Sequence, residues 1–183
     1  TGASNNAVGK SALSANQTGN NNIAFGESAL AANTGSDNVA IGHEAMAANT
    51  TGEDNVGIGY KALDANTTAS FNTAVGSKAL GANTGGEYNV AVGDQCLDAN
   101  TTGNFNVGVG RAALGACTTG SDHVAMGINA LAGEVTGIGN TAIGTNALET
   151  ANGRYYNVAV GHHAGRYADG TRNIFIGYGP TPA

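Results

Sequence analysis

The sequence predicts an all-β solenoid, a fold in which short coils of nearly equal length stack along one axis. The motif Asn-x-Ala-(Val/Ile)-Gly recurs along the chain, and its closing glycines lie 17 residues apart in eight intervals and 16 apart in two. Glycine accounts for 30 of the 183 residues, and the apolar residues are mostly Ala and Val. A short strict period is typical of repeat arrays whose units pack mainly on their neighbours. We therefore predict about eleven parallel coils over residues 1–177. The closing glycines are Gly9, Gly26, Gly42, Gly59, Gly76, Gly93, Gly110, Gly127, Gly144, Gly161 and Gly177.

The first half of each repeat predicts a short strand, and the segment 89–93 is representative. It reads Asn-Val-Ala-Val-Gly and is apolar on both faces, which is typical of a strand that is covered on both sides. Gly93 ends the strand, because glycine permits a turn with positive φ. The two residues that follow each closing glycine are mostly polar, here Asp94 and Gln95, and we expect this row to face solvent.

The second half of each repeat contains an Ala-Leu pair and then an Asn-Thr-Gly turn. The Leu row is the best candidate for the interior of the solenoid. Only about five residues separate the pair from the turn, and helices this short are marginal, so we expect a second short strand in each coil. The turn asparagines should stack in a ladder that satisfies backbone groups at each corner. They are Asn33, Asn49, Asn66, Asn83 and Asn100.

The composition and charge of the chain disfavour several classes of function. The net charge of −6 disfavours nucleic acid as a partner. No apolar run approaches the ~20 residues of a membrane-spanning helix, so we expect the segment not to be embedded in a membrane. Carboxylates are scattered through turns without a fixed relation to His or Ser, so we expect no enzyme activity and no cofactor. The opening Thr1-Gly2 matches the Thr-Gly that closes other repeats and predicts a fragment of a longer repeat array.

The core predicted for one chain is thin. Tryptophan is absent and the interior rows consist mostly of Ala and Leu, so a lone chain buries little apolar surface against the entropy cost of ordering it. Oligomerisation would supply the missing burial.

The repeats resemble known fibre proteins. The stretch 38–52, Asn-Val-Ala-Ile-Gly-x-x-Ala-Met-x-Ala-Asn-Thr-Thr-Gly, resembles the head repeats of YadA-like trimeric autotransporter adhesins. It is still more similar to repeat arrays of bacteriophage tail fibres and related bacterial surface fibres. The resemblance covers residues 5–177 and rests on eleven copies in phase. The longer unit and its Asn-Thr-Thr-Gly turn depart from the adhesin pattern and leave the choice between adhesin head and phage-type fibre open.

This resemblance implies a left-handed parallel β-roll with one repeat per coil and three chains around a threefold axis. It also implies an extracellular location, on a bacterial surface or as part of a virion fibre, and a role in attachment to host or prey cells. The expected partners are two sister chains and a cell-surface glycan or protein receptor.

One row of the repeat changes character in the middle of the chain. The residue before the strand asparagine is usually polar, but it is Phe71, Tyr88 and Phe105 in three consecutive coils. Stacked coils would place these rings in one row. The row is a candidate platform for sugar rings or a partner surface. The alternative is an aromatic ladder that covers a coil seam or packs between chains.

The C-terminal coils depart from the pattern as well. Tyr155, Tyr156, Arg166 and Arg172 form a candidate contact region. We expect the end of the array to act as a cap, with residues 178–183 forming a junction to a following domain, because terminal repeats must shield an open end. A ligand-binding tip is the alternative.

The remaining polar residues leave three further questions. Cys96 and Cys117 fall in different slots of adjacent repeats, so we expect two buried free thiols and no disulfide. His123 takes the place of a strand asparagine, and we predict a variant of that row and no metal site. Paired threonines such as Thr101-Thr102 suggest an ice-binding solenoid as an alternative function, and a glycan-cleaving tailspike is a second alternative.

Overall fold

The computed structural model describes residues 2–179 and shows a parallel β-solenoid with one strand in each coil. The eleven strands form a single parallel sheet in chain order, and each pairs in register with the next. Within residues 2–179 there is no helix. The predicted all-β solenoid of about eleven coils is therefore confirmed. The strands are β1 Asn6–Val8, β2 Ile23–Phe25, β3 Val39–Ile41, β4 Val56–Ile58, β5 Thr73–Val75, β6 Val90–Val92, β7 Val107–Val109, β8 Val124–Met126, β9 Thr141–Ile143, β10 Val158–Val160 and β11 Ile174–Ile176.

The prediction of a second strand in each coil is wrong. In its place the chain makes consecutive tight turns, such as Ala79 N–H to Gly76 O at 3.3 Å and Asn83 N–H to Leu80 O at 3.2 Å. Lys78 and Leu80 adopt φ of 55° and 51°, the left-handed region, which an extended strand does not visit. Coils still bond across this side, since Leu80 N–H donates to Cys96 O at 3.0 Å.

The Leu row fills the interior, as predicted. Eight of its members are completely buried, including Leu63, Leu80 and Leu97, and the small residue before each Leu is buried beside it. A left-handed backbone costs a non-glycine residue about 1–2 kcal/mol. Full burial of a Leu side chain contributes about 1.5–3 kcal/mol, which offsets that cost.

The strand residues divide between the interior and the outer surface. The central Ala or Gly of β2–β10 is fully buried, whereas the residues on either side of it are half-buried or exposed. The inward face of each strand is thus the small central residue. The branched residues point out of the solenoid.

Where the repeat varies, a smaller residue in one coil is balanced by a larger interior side chain in a neighbouring coil. A Cβ atom on Gly57 would lie 2.8 Å from Met46 Cγ, and one on Gly108 would lie 2.5 Å from Cys96 Sγ. A Cβ atom on Gly165 would lie 2.6 Å from the Phe175 ring. Each missing side chain therefore makes room for a larger one. Because Gly165 stands in the Leu row, Phe175 fills that space in the last coil.

Candidate functional site

The outward strand residues form a continuous apolar stripe along one side of the solenoid. We define the apolar face as the first and third residues of β2–β11; in β3–β10 all are Val, Ile, Met or Thr. Ile41, Val92, Met126 and Ile143 keep 37–42% of their surface exposed. Ten strands at ~4.8 Å spacing and two residue positions in width give roughly 500 Å². Soluble monomers rarely expose contiguous apolar patches larger than a few hundred Å².

The three aromatic residues of the row before the strand asparagine form a stacked ladder. The rings of Phe71 and Tyr88 stack with centroids 4.8 Å apart and planes 8° apart, and Tyr88 and Phe105 stack at 5.2 Å and 9°. Each ring is about half exposed. The inner ring faces are covered by the neighbouring rings, so the row presents mainly ring edges to solvent. A sugar stacks on a ring face, and the geometry therefore favours a partner surface over a sugar platform.

The backbone under the ladder is costly. Phe71, Tyr88 and Phe105 have φ of 63°, 59° and 58°. Bulky residues are genuine outliers in this region, and such outliers persist where the surrounding structure imposes them. The same φ recurs throughout this row: four other coils hold Asn or Asp, which tolerate it better, and the rest hold Ser4, Gly139, Tyr156 and Arg172.

The C-terminal candidates form two groups rather than one site. Tyr155 and Tyr156 have ring centroids 6.5 Å apart, and the Arg172 guanidinium lies 6.0 Å from the Tyr156 ring. Arg166 instead pairs with Glu149 and lies 5.2 Å from the Tyr167 ring. Tyr178 stacks on His162 at 5.4 Å. The rest of the predicted junction, residues 180–183, lies outside the described residues.

The predicted asparagine ladder is present and buried. Asn49 Nδ2 donates to Asn33 Oδ1 at 2.7 Å, Asn66 to Asn49 at 2.8 Å, Asn83 to Asn66 at 3.1 Å and Asn100 to Asn83 at 2.9 Å. We call this row the corner ladder. Each amide also donates to a backbone carbonyl of its own turn, as Asn66 does to Ala69 O at 2.9 Å. The ladder thus ties successive coils together inside the corner.

The corner ladder ends at Cys117. Asn100 Oδ1 is buried there without a hydrogen-bond partner, because the thiol that follows cannot supply the amide donor. The thiol lies 3.6 Å from Gly120 O, the carbonyl that an asparagine would bond. Burial raises the pKa of Cys117 to about 12, so the side chain stays a neutral thiol.

Replacing Cys117 with asparagine is expected to stabilise the fold by about 1 kcal/mol, because it restores a donor to Asn100 Oδ1. Urea unfolding followed by circular dichroism measures the change. The matched control is Cys96→Ala, which returns the usual residue to its slot but touches no ladder and leaves a small void beside Gly108. A Cys117→Asn variant no more stable than the parent would contradict this account of the orphaned oxygen.

Glu134 occupies the next corner and was not singled out from the sequence. The carboxylate is fully buried and accepts from the backbone N–H groups of Gly137 at 2.6 Å, Thr136 at 3.1 Å and Gly153 at 2.8 Å. Gly153 belongs to the following coil, where Ala151 lacks any ladder amide. Glu134 therefore joins two coils in the absence of the asparagine ladder. Only its position in the asparagine row could have indicated this role.

His123 takes the place of a strand asparagine, as predicted. Its Nδ1 accepts from Asn140 N–H at 3.1 Å, so the proton lies on Nε2, and Nε2 is buried without a hydrogen-bond partner. Burial lowers the pKa of His123 below its ordinary value of 6.5, against the opposing influence of the nearby Glu134 carboxylate.

A lowered histidine pKa makes stability depend on pH, because the unfolded chain binds the proton more readily. Stability should be complete above about pH 6.5 and should fall as the pH drops towards the folded-state pKa. His123→Asn is expected to remove this part of the slope, with His43→Asn, an exposed residue, as the control. Urea unfolding at pH 7.5 and pH 5 measures the effect. Equal slopes in all three proteins would contradict the prediction.

A pair of carboxylates was also missed. Asp64 Oδ1 and Asp98 Oδ1 both point towards Gly81, at 3.5 Å and 2.7 Å from where its Cβ would lie. They line an open groove of about 430 Å³ together with Lys61 and Lys78. Burial raises the pKa of both carboxyls. Asp64 and Asp98 lie two coils apart in sequence, and only the missing side chain at position 81 lets them converge.

The threonine pairs are engaged within the solenoid. Thr50 Oγ1 donates to Thr67 O at 2.9 Å, and Thr101 Oγ1 donates to Thr118 O at 3.0 Å. In each of these pairs the hydroxyl group of the first threonine therefore donates its proton to the next coil.

Among residues 2–179 no group of three or more His, Cys, Asp and Glu side chains is placed to hold a metal ion. Both cysteines are free and buried, as predicted. The same residues include no helix with the length and apolarity needed to cross a membrane. Comparison with protein-family models, with curated proteins and with solved structures finds no match for this chain.

Proposed function

We propose that the chain is the shaft or head of a homotrimeric extracellular fibre that contributes to attachment to host or prey cell surfaces. The single observation that carries the proposal is the apolar face, which runs along the whole solenoid and has no cover in one chain. Three such faces around one axis would enclose one another and supply the core that the thin interior lacks. The repeats' resemblance to adhesin heads and tail fibres supports the left-handed winding and the location at a bacterial surface or in a virion fibre.

The proposed role is mechanical and adhesive rather than enzymatic. Eleven coils at ~4.8 Å each make a rod of roughly 50 Å. A rigid trimer presents each surface feature three times, so weak contacts to a glycan or protein receptor gain avidity. Tyr155 is the residue that we assign to receptor contact, because its exposed ring lies beside the Tyr156 ring, which in turn packs against the Arg172 guanidinium.

Binding of fluorescently labelled protein to bacterial cells and to immobilised cell-surface glycans tests the attachment role. We expect binding that weakens when Tyr155 is replaced with alanine and persists when Tyr167, also exposed, is replaced with alanine. Absence of binding to every surface would overturn the attachment role. Release of reducing sugar from a capsule or wall polysaccharide would overturn the proposal that the chain is not an enzyme.

A further inference from the structure

In three coils the two edges of the apolar face carry complementary groups at the same height, whereas Tyr88 shares its coil with Asp94 and Gln95. The leading edge is the row before each strand asparagine, and the trailing edge is the pair of residues after each closing glycine. Strand β4 lies between Asp54 and Lys61, and β5 lies between Phe71 and Lys78. Strand β7 lies between Phe105 and Arg111. In all three coils an anionic or aromatic group faces one way and a cation faces the other.

Within one chain these partners cannot meet. The five or so residues between the edges span ~15 Å at the rise of a strand, whereas a cation–π contact needs ~6 Å. Among the described residues Lys78 and Arg111 form no ion pair, and both are exposed. Among the same residues, the rings of Phe71 and Phe105 each stack on Tyr88 and on no other aromatic ring. Both halves of the Phe71/Lys78 and Phe105/Arg111 pairs are therefore available to another chain, whereas Lys61 already pairs with Glu44 at 3.1 Å in its own chain.

A threefold ring would bring these halves together. Rotation about an axis parallel to the solenoid places the leading edge of one copy beside the trailing edge of the next, with no shift along the axis. Asp54 then lies level with Lys61 of the neighbouring copy, and Phe71 with its Lys78. Phe105 lies level with its Arg111.

We infer that Phe71, Tyr88 and Phe105 form the seal between sister chains, with Lys78 and Arg111 of one copy lying over Phe71 and Phe105 of the next. This inference rests on the proposed homotrimer and assigns its lateral contacts. In the trimer the rings would pack against a second chain as well as against one another. The flanking rows extend the apolar face towards the ~800 Å² per partner of a stable interface.

Disulfide cross-linking of the double variant Phe71→Cys/Lys78→Cys tests the inference. A closed ring should give a covalent trimer of about 54 kDa on a non-reducing gel, compared with the 17.9 kDa chain. The two cysteines of one chain are too far apart to bond each other, since a disulfide needs Cα atoms within ~7 Å. Native Cys96 and Cys117 do not interfere, because burial raises the pKa of each to about 12.

The matched control is Phe71→Cys/Ala112→Cys, in which the second cysteine stands in the same row as Lys78 but two coils away, at ~10 Å along the axis. On the non-reducing gel this variant should run at the mass of a single chain, because no disulfide links its copies. The variant Asp54→Cys/Lys61→Cys tests a second pair of edge residues at the same height without altering the aromatic ladder. It replaces the first variant if loss of the Phe71 ring prevents folding.

The outcomes separate this inference from the proposed function. If light scattering gives a trimeric mass but neither Phe71→Cys/Lys78→Cys nor Asp54→Cys/Lys61→Cys cross-links, the edge pairing alone is overturned. Cross-linking of the control to the same extent would overturn it as well. A single-chain mass before oxidation overturns the homotrimer itself. Covalent dimers as the final product overturn the threefold ring.

Discussion

Replacing Val92 with lysine is expected to dissociate the assembly into single chains. Val92 is the third residue of β6, at the middle of the apolar face, and is 37% exposed in one chain. In a threefold assembly the substitution brings three ammonium groups towards one axis. Each loses part of its hydration, at an effective cost of several kcal/mol per ion, so we expect a loss on the order of 5 kcal/mol per trimer even after the side chains bend towards water.

Light scattering should show the mass of the Val92→Lys protein falling to that of one chain, 17.9 kDa. Thr102→Lys is the matched control, because it adds the same charge at an exposed turn away from the face. We expect no change of mass in the control. A Val92→Lys protein with the parent's mass and melting temperature would show that the apolar face is not an interface.

Replacing Gly93 with alanine is expected to cause the largest loss of stability within one chain. Gly93 has φ of 141°, a conformation essentially confined to glycine. An added Cβ would lie 2.5 Å from Gly110 O and 2.6 Å from Gly110 C, which are backbone atoms of the next coil. Since neither atom can move without breaking the stack, we expect a loss of at least about 4 kcal/mol, the range of the most damaging substitutions.

Gly85→Ala is the control for this substitution. Its Cβ would lie 3.8 Å from Thr102 Cγ2, an ordinary contact, and its φ is not in the left-handed region. Urea unfolding should place Gly85→Ala within about 0.5 kcal/mol of the parent and Gly93→Ala far below it. Similar unfolding midpoints for the two variants would contradict the close approach of coils at the closing glycines.

Features that follow from periodicity could be predicted from the sequence. In-phase recurrence of Gly93 and its equivalents predicts one coil per repeat, and burial of the Leu row follows from its being the bulkiest apolar row in the second half of the repeat. The corner ladder was predictable too, because an asparagine in every turn can bond to the same residue one coil away.

The second half of the repeat was mispredicted because its conformation alternates. Lys78 and Leu80 take left-handed φ, and neither residue type favours that region, so local propensity gave no signal. Stacking of the coils overrides this preference, because the burial of the Leu80 side chain and the hydrogen bond from its N–H to the next coil offset the cost of the left-handed backbone. Tertiary packing, rather than turn chemistry, thus decides this side of the solenoid.

Site geometry could be predicted only where it repeats. The ring row of Phe71, Tyr88 and Phe105 was predictable from the shared slot. Convergence of Asp64 and Asp98 over Gly81 depends on a side chain that is missing in the coil between them, one coil from each, and the C-terminal candidates share no slot at all. Arg166 and Arg172 therefore looked like one cluster in the sequence although each lies against a different tyrosine.

The mass of the purified chain in solution tests the central claim most directly, since the claim is that the apolar face of each solenoid is covered by two sister chains. Multi-angle light scattering at micromolar concentration should give about 54 kDa, three times the 17.9 kDa of one chain. A folded β-solenoid with the mass of a single chain would contradict it.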